Sequence, residues 1–148
     1  MDRGETAKQI FLSGYNCAQS LVLAYEDLIP VEHKTLLRLA SPFGGGMGRL
    51  REVCGAVSGM FLVAGFLYGY DEAGQDTIKK ALYARVNGLG LEFEKRRGTL
   101  LCRDLLGLEC QHDISVPEKR TEHYYEVRPC PDLVKEAASI LQEYIEKQ

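Results

Sequence analysis

The chain of 148 residues contains no Cys-x-x-Cys pair, no apolar run of membrane-spanning length and no basic stripe. The first absence excludes both a thioredoxin-type motif and a zinc-ribbon spacing. The uncharged segment 53–68 has 16 residues, and a transmembrane helix needs about 20. The 18 basic and 21 acidic side chains are scattered and give a net charge of -3. We therefore expect no membrane span and no nucleic-acid partner.

A secretory signal is also absent from the start of the chain. The segment "MDRGETAKQIFLSGYNCAQ" has early acidic residues and lacks the uninterrupted apolar core of such a signal. We therefore expect a cytoplasmic protein. In that reducing compartment, the five cysteines are expected to be free thiols, catalytic thiols or metal ligands, because permanent disulfides are rare there.

Helical periodicity dominates what the sequence does contain. Apolar residues at spacings of three and four predict helices over 5–28, 31–40, 51–68, 76–97, 99–107 and from residue 131 onward. Residues 108–127 have little periodicity, which predicts an irregular loop. We find no internal repeat and no linker. The sequence thus predicts an all-α fold in a single domain over residues 1–148, with about five to six helices.

The helix over 51–68 is predicted to be central and buried. It combines an uncharged segment with glycines, of which Gly55 and Gly59 are four residues apart and share one face. That face is small enough for a neighbouring helix to approach closely. In the later helix over 76–97, Gly88 and Gly90 predict a local kink.

Three cysteines lie near predicted helix starts. Cys54 falls in the first turn of the central helix, Cys102 follows the predicted cap Thr99, and Cys130 is the predicted N-cap before Pro131. Helix N-termini stabilise a thiolate, which is the form that attacks disulfides and binds soft metals. Four arginines close in sequence add positive charge: Arg49, Arg51, Arg103 and Arg128. Cys17 lies on the inward stripe of the first predicted helix.

The segments around these cysteines resemble one family along nearly the whole chain. "GYNCAQSL", "FGGGMGRLREVCGAVSG", "LCRDLLG" and "RPCPDLVKEAASIL" look like the four cysteine positions of the redox-active family named for its C_GCAxxG_C_C pattern. The resemblance implies a compact, mostly helical protein with a redox role. Val53 stands where the family's name has glycine, and Cys110 has no counterpart in the pattern. The remaining cysteines form what we call the four-cysteine set: Cys17, Cys54, Cys102 and Cys130.

Our first hypothesis is that the fold brings the four-cysteine set together for thiol-disulfide exchange or for reduction of an oxidant or substrate. In it Cys54 is the attacking thiolate, because it lies at a helix start beside small residues, and Cys17 resolves the mixed disulfide. The hypothesis needs no cofactor. Its partner is either a redox protein or a small molecule, and the sequence does not distinguish them.

Two other hypotheses stay open. The four-cysteine set has the right number of thiolates to bind zinc or an iron-sulfur cluster, as an electron carrier or metal-handling protein does. Alternatively, the thiols only fill space in a helical interaction module. Cys110 and His112 form an isolated pair that is a weak metal motif.

Two further motifs have structural interpretations. The glycine-rich segment 44–48 lacks the ending of a nucleotide-binding P-loop, so we expect a tight connection. Tyr124 and Tyr125 are expected either to cover a pocket or to pack within their loop.

Overall fold

The regular structure of the protein is helical. A computed structural model describes all of its residues, 1–148. We number eight α-helices in chain order: α1 (Arg3–Leu12), α2 (Cys17–Leu23), α3 (His33–Ala40), α4 (Gly55–Tyr68), α5 (Asp76–Arg97), α6 (Cys102–Leu105), α7 (Glu122–Val127) and α8 (Cys130–Glu146). There is no strand, only an isolated antiparallel bridge between Val53 and Leu101. The prediction of an all-α fold is therefore confirmed.

Helix α4 lies in the core and packs against α2, α5 and α8. Helix α2 approaches it closely, because Gly55 and Gly59 have no side chains. A Cβ atom on Gly59 would lie 2.8 Å from Leu21 Cβ, and one on Gly55 would lie 3.0 Å from Cys17 Cβ. On the other side of the core, α1 packs along α8. None of these helices combines the length and the apolar character that crossing a lipid bilayer demands.

The first predicted helix, 5–28, is in fact two helices. Gly14 has a φ of +118°, a conformation that favours glycine and ends α1. Asn16 then caps α2 by accepting a hydrogen bond from the Gln19 backbone N–H, while the Gln19 side chain accepts one from Asn16 N–H. The break moves Cys17 from the middle of a helix to the first residue of one.

The second half of the chain differs from the prediction at three places. Helix α6 starts at Cys102, since Thr99 accepts from Leu101 N–H instead of capping the helix. The predicted loop 108–127 ends in helix α7, which Thr121 caps. Helix α5 is continuous through Gly88 and Gly90, so the predicted kink is absent.

The close approach of α2 to α4 gives a test of the packing. Gly59→Ala should lower the free energy of unfolding by about 1–3 kcal/mol, because the new methyl group would contact Leu21 and the Ala18 carbonyl oxygen. Gly65→Ala in the same helix is the matched control, because a Cβ there meets no atom within 4 Å. It should raise stability by up to about 1 kcal/mol through helix propensity. Urea unfolding followed by circular dichroism measures both; equal effects would contradict the packing argument.

Candidate functional site

The four-cysteine set lines one cavity of about 280 Å³. Its members come from four distant parts of the chain and are brought together by tertiary packing alone. Three of them are buried, with Cys54, Cys102 and Cys130 exposing only 4%, 7% and 8% of their surface. Cys110 is exposed and lies outside the cavity. All five thiols are free.

Each cysteine of the set stands at the start of a helix. Cys17, Cys102 and Cys130 are the first residues of α2, α6 and α8, and Cys54 is the N-cap of α4. The prediction that Cys130 is itself the N-cap is off by one residue, since Pro129 takes that position. Helices α4 and α8 are 14 and 17 residues long, so their N-terminal amides contribute a positive potential at Cys54 and Cys130.

Cys17 and Cys130 are neighbouring thiols that shift each other's pKa in opposite directions. The hydrogen bond from Cys17 is the main cause that lowers the pKa of Cys130 from 9.0 to about 7, against the effect of burial. A hydrogen bond from Tyr124 and the charges of Arg128 and Arg120 act in the same direction. The pKa of Cys17 is raised, because the same hydrogen bond keeps its proton on sulfur and burial adds to the effect. These shifts favour the thiolate at Cys130 and the protonated thiol at Cys17.

The other two thiols of the set are held in the protonated form. Burial raises the pKa of Cys54 to about 12, and the backbone N–H groups of Ala56 and Val57 oppose this only in part. Burial also raises the pKa of Cys102, although Arg51 Nη1 lies 3.4 Å from its sulfur and acts in the opposite direction. At neutral pH, Cys130 is thus the member of the set with the most thiolate character.

One wall of the cavity is a left-handed turn over residues 44–51. Five successive residues have φ between +58° and +70°: Gly45, Gly46, Met47, Gly48 and Arg49. A Cβ on Gly46 would lie 2.6 Å from Cys102 Cβ, so only glycine fits there. Arg51 also has a left-handed φ of +60°. The predicted tight connection is present, and the strain of its non-glycine residues must be offset by their contacts.

Asp113 supplies those contacts. Its Oδ2 atom accepts hydrogen bonds from Arg49 Nη2 at 2.9 Å and from Arg51 Nη2 at 3.0 Å. Arg51 is 5% exposed, and this buried pairing fixes its guanidinium between Asp113 and Cys102. The Ile114 backbone N–H and the two arginines lower the pKa of Asp113. The loop that carries Asp113 is thereby attached to the left-handed turn across the cavity.

A second part of the same loop brings Arg120 to the cavity. Its guanidinium donates to the carbonyl oxygens of Phe11 and Tyr15, both at 2.5 Å, and stacks on the Phe11 ring at 3.9 Å from the centroid. Arg128 pairs with Glu118, and both line the cavity beside Tyr124. Of the arginines predicted near the thiols, Arg103 does not line the cavity; it bonds the Arg51 carbonyl and Glu52.

Arg120 is the site residue that the sequence prediction missed. It lies where the chain has no helical periodicity, and it is ten residues from the nearest cysteine of the set. Its partners are the backbone carbonyls of Phe11, in the last turn of α1, and of Tyr15, between α1 and α2. No residue spacing signals such a contact, so only the folded loop reveals it. Tyr124, expected either to cover a pocket or to pack in its loop, lines the cavity.

The alternative of a metal site finds no preformed group of ligands in the structure. Nowhere in the chain do three or more His, Cys, Asp or Glu side chains come together as a group that could hold a metal. The Cys110 and His112 pair is exposed, and His112 Nδ1 lies 2.8 Å from the Leu50 carbonyl oxygen. We therefore derive no chemistry through a bound metal.

The fold and the site together define an all-α protein with four free thiols around an arginine-rich cavity. The family model described as "Putative redox-active protein (C_GCAxxG_C_C)" matches residues 15–144. The chain belongs to this family. No curated protein and no solved structure matches it.

The effect of Tyr124 on the pKa of Cys130 can be tested by pH-dependent alkylation. In the wild type, the rate of Cys130 labelling by iodoacetamide should rise with pH, reach half its maximum at about 7 and level off above, because only the thiolate reacts. Tyr124→Phe removes a donor to that thiolate, so the midpoint should move upward. Tyr125→Phe is the matched control, because Tyr125 packs on Tyr124 but does not bond Cys130. An unchanged midpoint in Tyr124→Phe would contradict the assignment.

Proposed function

We propose that the protein is a thiol-dependent oxidoreductase in which Cys130 attacks an oxidised substrate and Cys17 resolves the product. The observation that carries the proposal is that these two thiols line one arginine-rich cavity and shift each other's pKa, that of Cys130 downward and that of Cys17 upward. Membership of a redox-active family supports the same class of chemistry. The two thiols together supply the two electrons that reduce the substrate, so no other group of the protein is needed for this step.

This proposal moves the attacking role from Cys54 to Cys130. Both lie at helix starts, but the pKa values separate them: burial raises that of Cys54 to about 12, whereas the donors around Cys130 lower its pKa to about 7. An attacking thiol is most effective when its pKa is near the ambient pH. Cys17 keeps the resolving role, because it lines the same cavity as Cys130 and the two thiols shift each other's pKa.

The exchange occurs in two balanced steps. The Cys130 thiolate attacks one sulfur of a disulfide RSSR, forms a mixed disulfide and releases RS⁻. The Cys17 thiol then gives its proton to RS⁻, and its sulfur attacks Cys130 Sγ, which releases the second RS⁻ to be protonated by solvent. The substrate gains two electrons, and Cys17 and Cys130 lose them as a disulfide forms. An external dithiol would reduce this disulfide and complete the cycle.

Cys54 and Cys102 are not needed for these two steps. Their thiols are protonated and buried, so they neither attack nor leave at neutral pH. We propose that their part in the reaction is to line the cavity. Reduction of the Cys17–Cys130 disulfide is a separate event that the external dithiol carries out.

Serine substitutions test the two roles. Reduced protein is mixed without oxygen with bis(2-hydroxyethyl) disulfide, an uncharged substrate, and the products are followed by intact mass and peptide mapping. The wild type should end with a Cys17–Cys130 disulfide and a loss of two hydrogens. Cys17→Ser should accumulate the mixed disulfide on Cys130, because no resolving thiol is left. Cys130→Ser should form neither product in the cavity.

Two controls separate specific roles from general thiol reactivity. Cys110→Ser removes the exposed thiol outside the cavity and should leave the Cys17–Cys130 reaction unchanged. Cys54→Ser should also retain it. The proposal is wrong if Cys130→Ser reacts in the cavity as fast as the wild type. A Cys54→Ser variant that forms no Cys17–Cys130 disulfide would return the attacking role to Cys54.

A further inference from the structure

The cavity carries an excess of positive charge. Four arginines line it, and Glu118 is the single carboxylate among the lining residues. Asp113 contributes a second carboxylate by pairing with Arg49 and Arg51 from outside the lining. Four guanidinium groups therefore face two carboxylates. The N-termini of helices α4 and α8 add positive potential at the same place.

Two of the arginines have guanidinium N–H groups that are not bonded to any carboxylate of the chain. Arg120 forms no ion pair; its hydrogen bonds go to two backbone carbonyl oxygens, and its charge is uncompensated. Arg49 pairs through Nη2 with Asp113 at 2.9 Å and with Glu118 at 4.0 Å, but its Nε atom is buried and has no hydrogen-bond partner. A buried donor without a partner is unfavourable unless a ligand or water accepts from it. Both side chains line the cavity that holds Cys130.

The size of the cavity limits what can reach the thiols. A volume of about 280 Å³ lies near the lower end of the range for small-molecule sites. Because Cys130 is 8% exposed, a disulfide on the surface of a folded protein cannot approach its sulfur without rearrangement. The substrate must be a small molecule that enters the cavity.

We infer that the protein takes a small anionic disulfide, one whose carboxylate groups are bound by Arg120 and Arg49 while its sulfur meets Cys130. This inference rests on the proposed function and names the substrate class of the same site. Guanidinium groups bind carboxylates through charge-assisted hydrogen bonds. Glu118 pairs with Arg128 and lies 4.0 Å from Arg49 Nη2, so no carboxylate of the chain pairs with Arg120. The exchange itself is the two-step reaction given above, with R a carboxylate-bearing group.

Three small disulfides of different charge test the inference: dithiodiglycolate, bis(2-hydroxyethyl) disulfide and cystamine, which are anionic, neutral and cationic. For each disulfide, the rate at which it oxidises Cys130 is divided by the rate at which it reacts with free N-acetylcysteine. This normalisation removes differences in intrinsic reactivity among the three disulfides. The normalised rates should fall in the order anionic, neutral, cationic, with on the order of tenfold between the first two. Added salt should reduce this preference by screening. Equal normalised rates would overturn the inference.

Arg120→Gln tests which residue supplies the preference. Loss of Arg120 also raises the pKa of Cys130, but that change slows all three disulfides alike and leaves their ratio unaffected. The anionic preference should therefore drop toward unity. Arg96→Gln is the matched control, because Arg96 pairs with Glu92, Glu136 and Glu143 and does not line the cavity. A full preference retained in Arg120→Gln would overturn the role of Arg120.

Thiodiglycolate, a dicarboxylate thioether that cannot exchange, separates this inference from the proposed function. Calorimetry should detect its binding to the wild type and to Arg96→Gln, and binding on the order of tenfold weaker to Arg120→Gln. If it binds through Arg120 but no disulfide oxidises Cys130, the anion site stands and the proposed function fails. If disulfides react without charge preference and thiodiglycolate does not bind, the proposed function stands and this inference fails.

Discussion

The close contact between α2 and α4 is the constraint on which the rest of the structure depends. Gly55 and Gly59 leave no side chain between the two helices, so Cys17 lies against the start of α4. A bulkier residue at either glycine would separate the helices and move Cys17 away from the other thiols. The same contact closes the core and assembles the cavity, because both helices begin at the cavity wall. Packing and site geometry are therefore not independent in this protein.

A second feature of the site is backbone strain that other contacts offset. A left-handed turn is unfavourable for residues with side chains, yet Arg49 and Arg51 adopt this conformation. Their shared partner Asp113 comes from a loop about sixty residues later in the chain, and it holds both guanidinium groups in place. The turn thus presents two positive charges to a buried cavity at fixed positions. Backbone strain of this kind persists only where contacts with the surrounding structure hold the residues in the strained conformation.

The thiols of the site differ because burial and hydrogen bonding act on them unequally. All members of the set are near helix N-termini, which favour the thiolate, but burial opposes the charged form at each of them. At Cys54 burial outweighs two backbone N–H groups, while at Cys130 the hydrogen bonds from Cys17 and Tyr124 outweigh burial. One thiolate beside one protonated thiol is the arrangement that disulfide exchange requires. A position at a helix start is therefore not sufficient to identify a reactive cysteine.

The sequence by itself determined the helical class, most helix positions and the four cysteines, because apolar periodicity and capping chemistry are local properties. The bounds of α5, residues 76–97, agree with the prediction from spacing alone. The sequence did not determine the break at Gly14, because a single glycine inside an apolar pattern is compatible with a continuous helix. Only the tertiary structure decided which thiol is ionised and that Arg120 joins the site. Both depend on burial and on contacts between segments far apart in the chain, and neither quantity is encoded in the spacing of neighbouring residues.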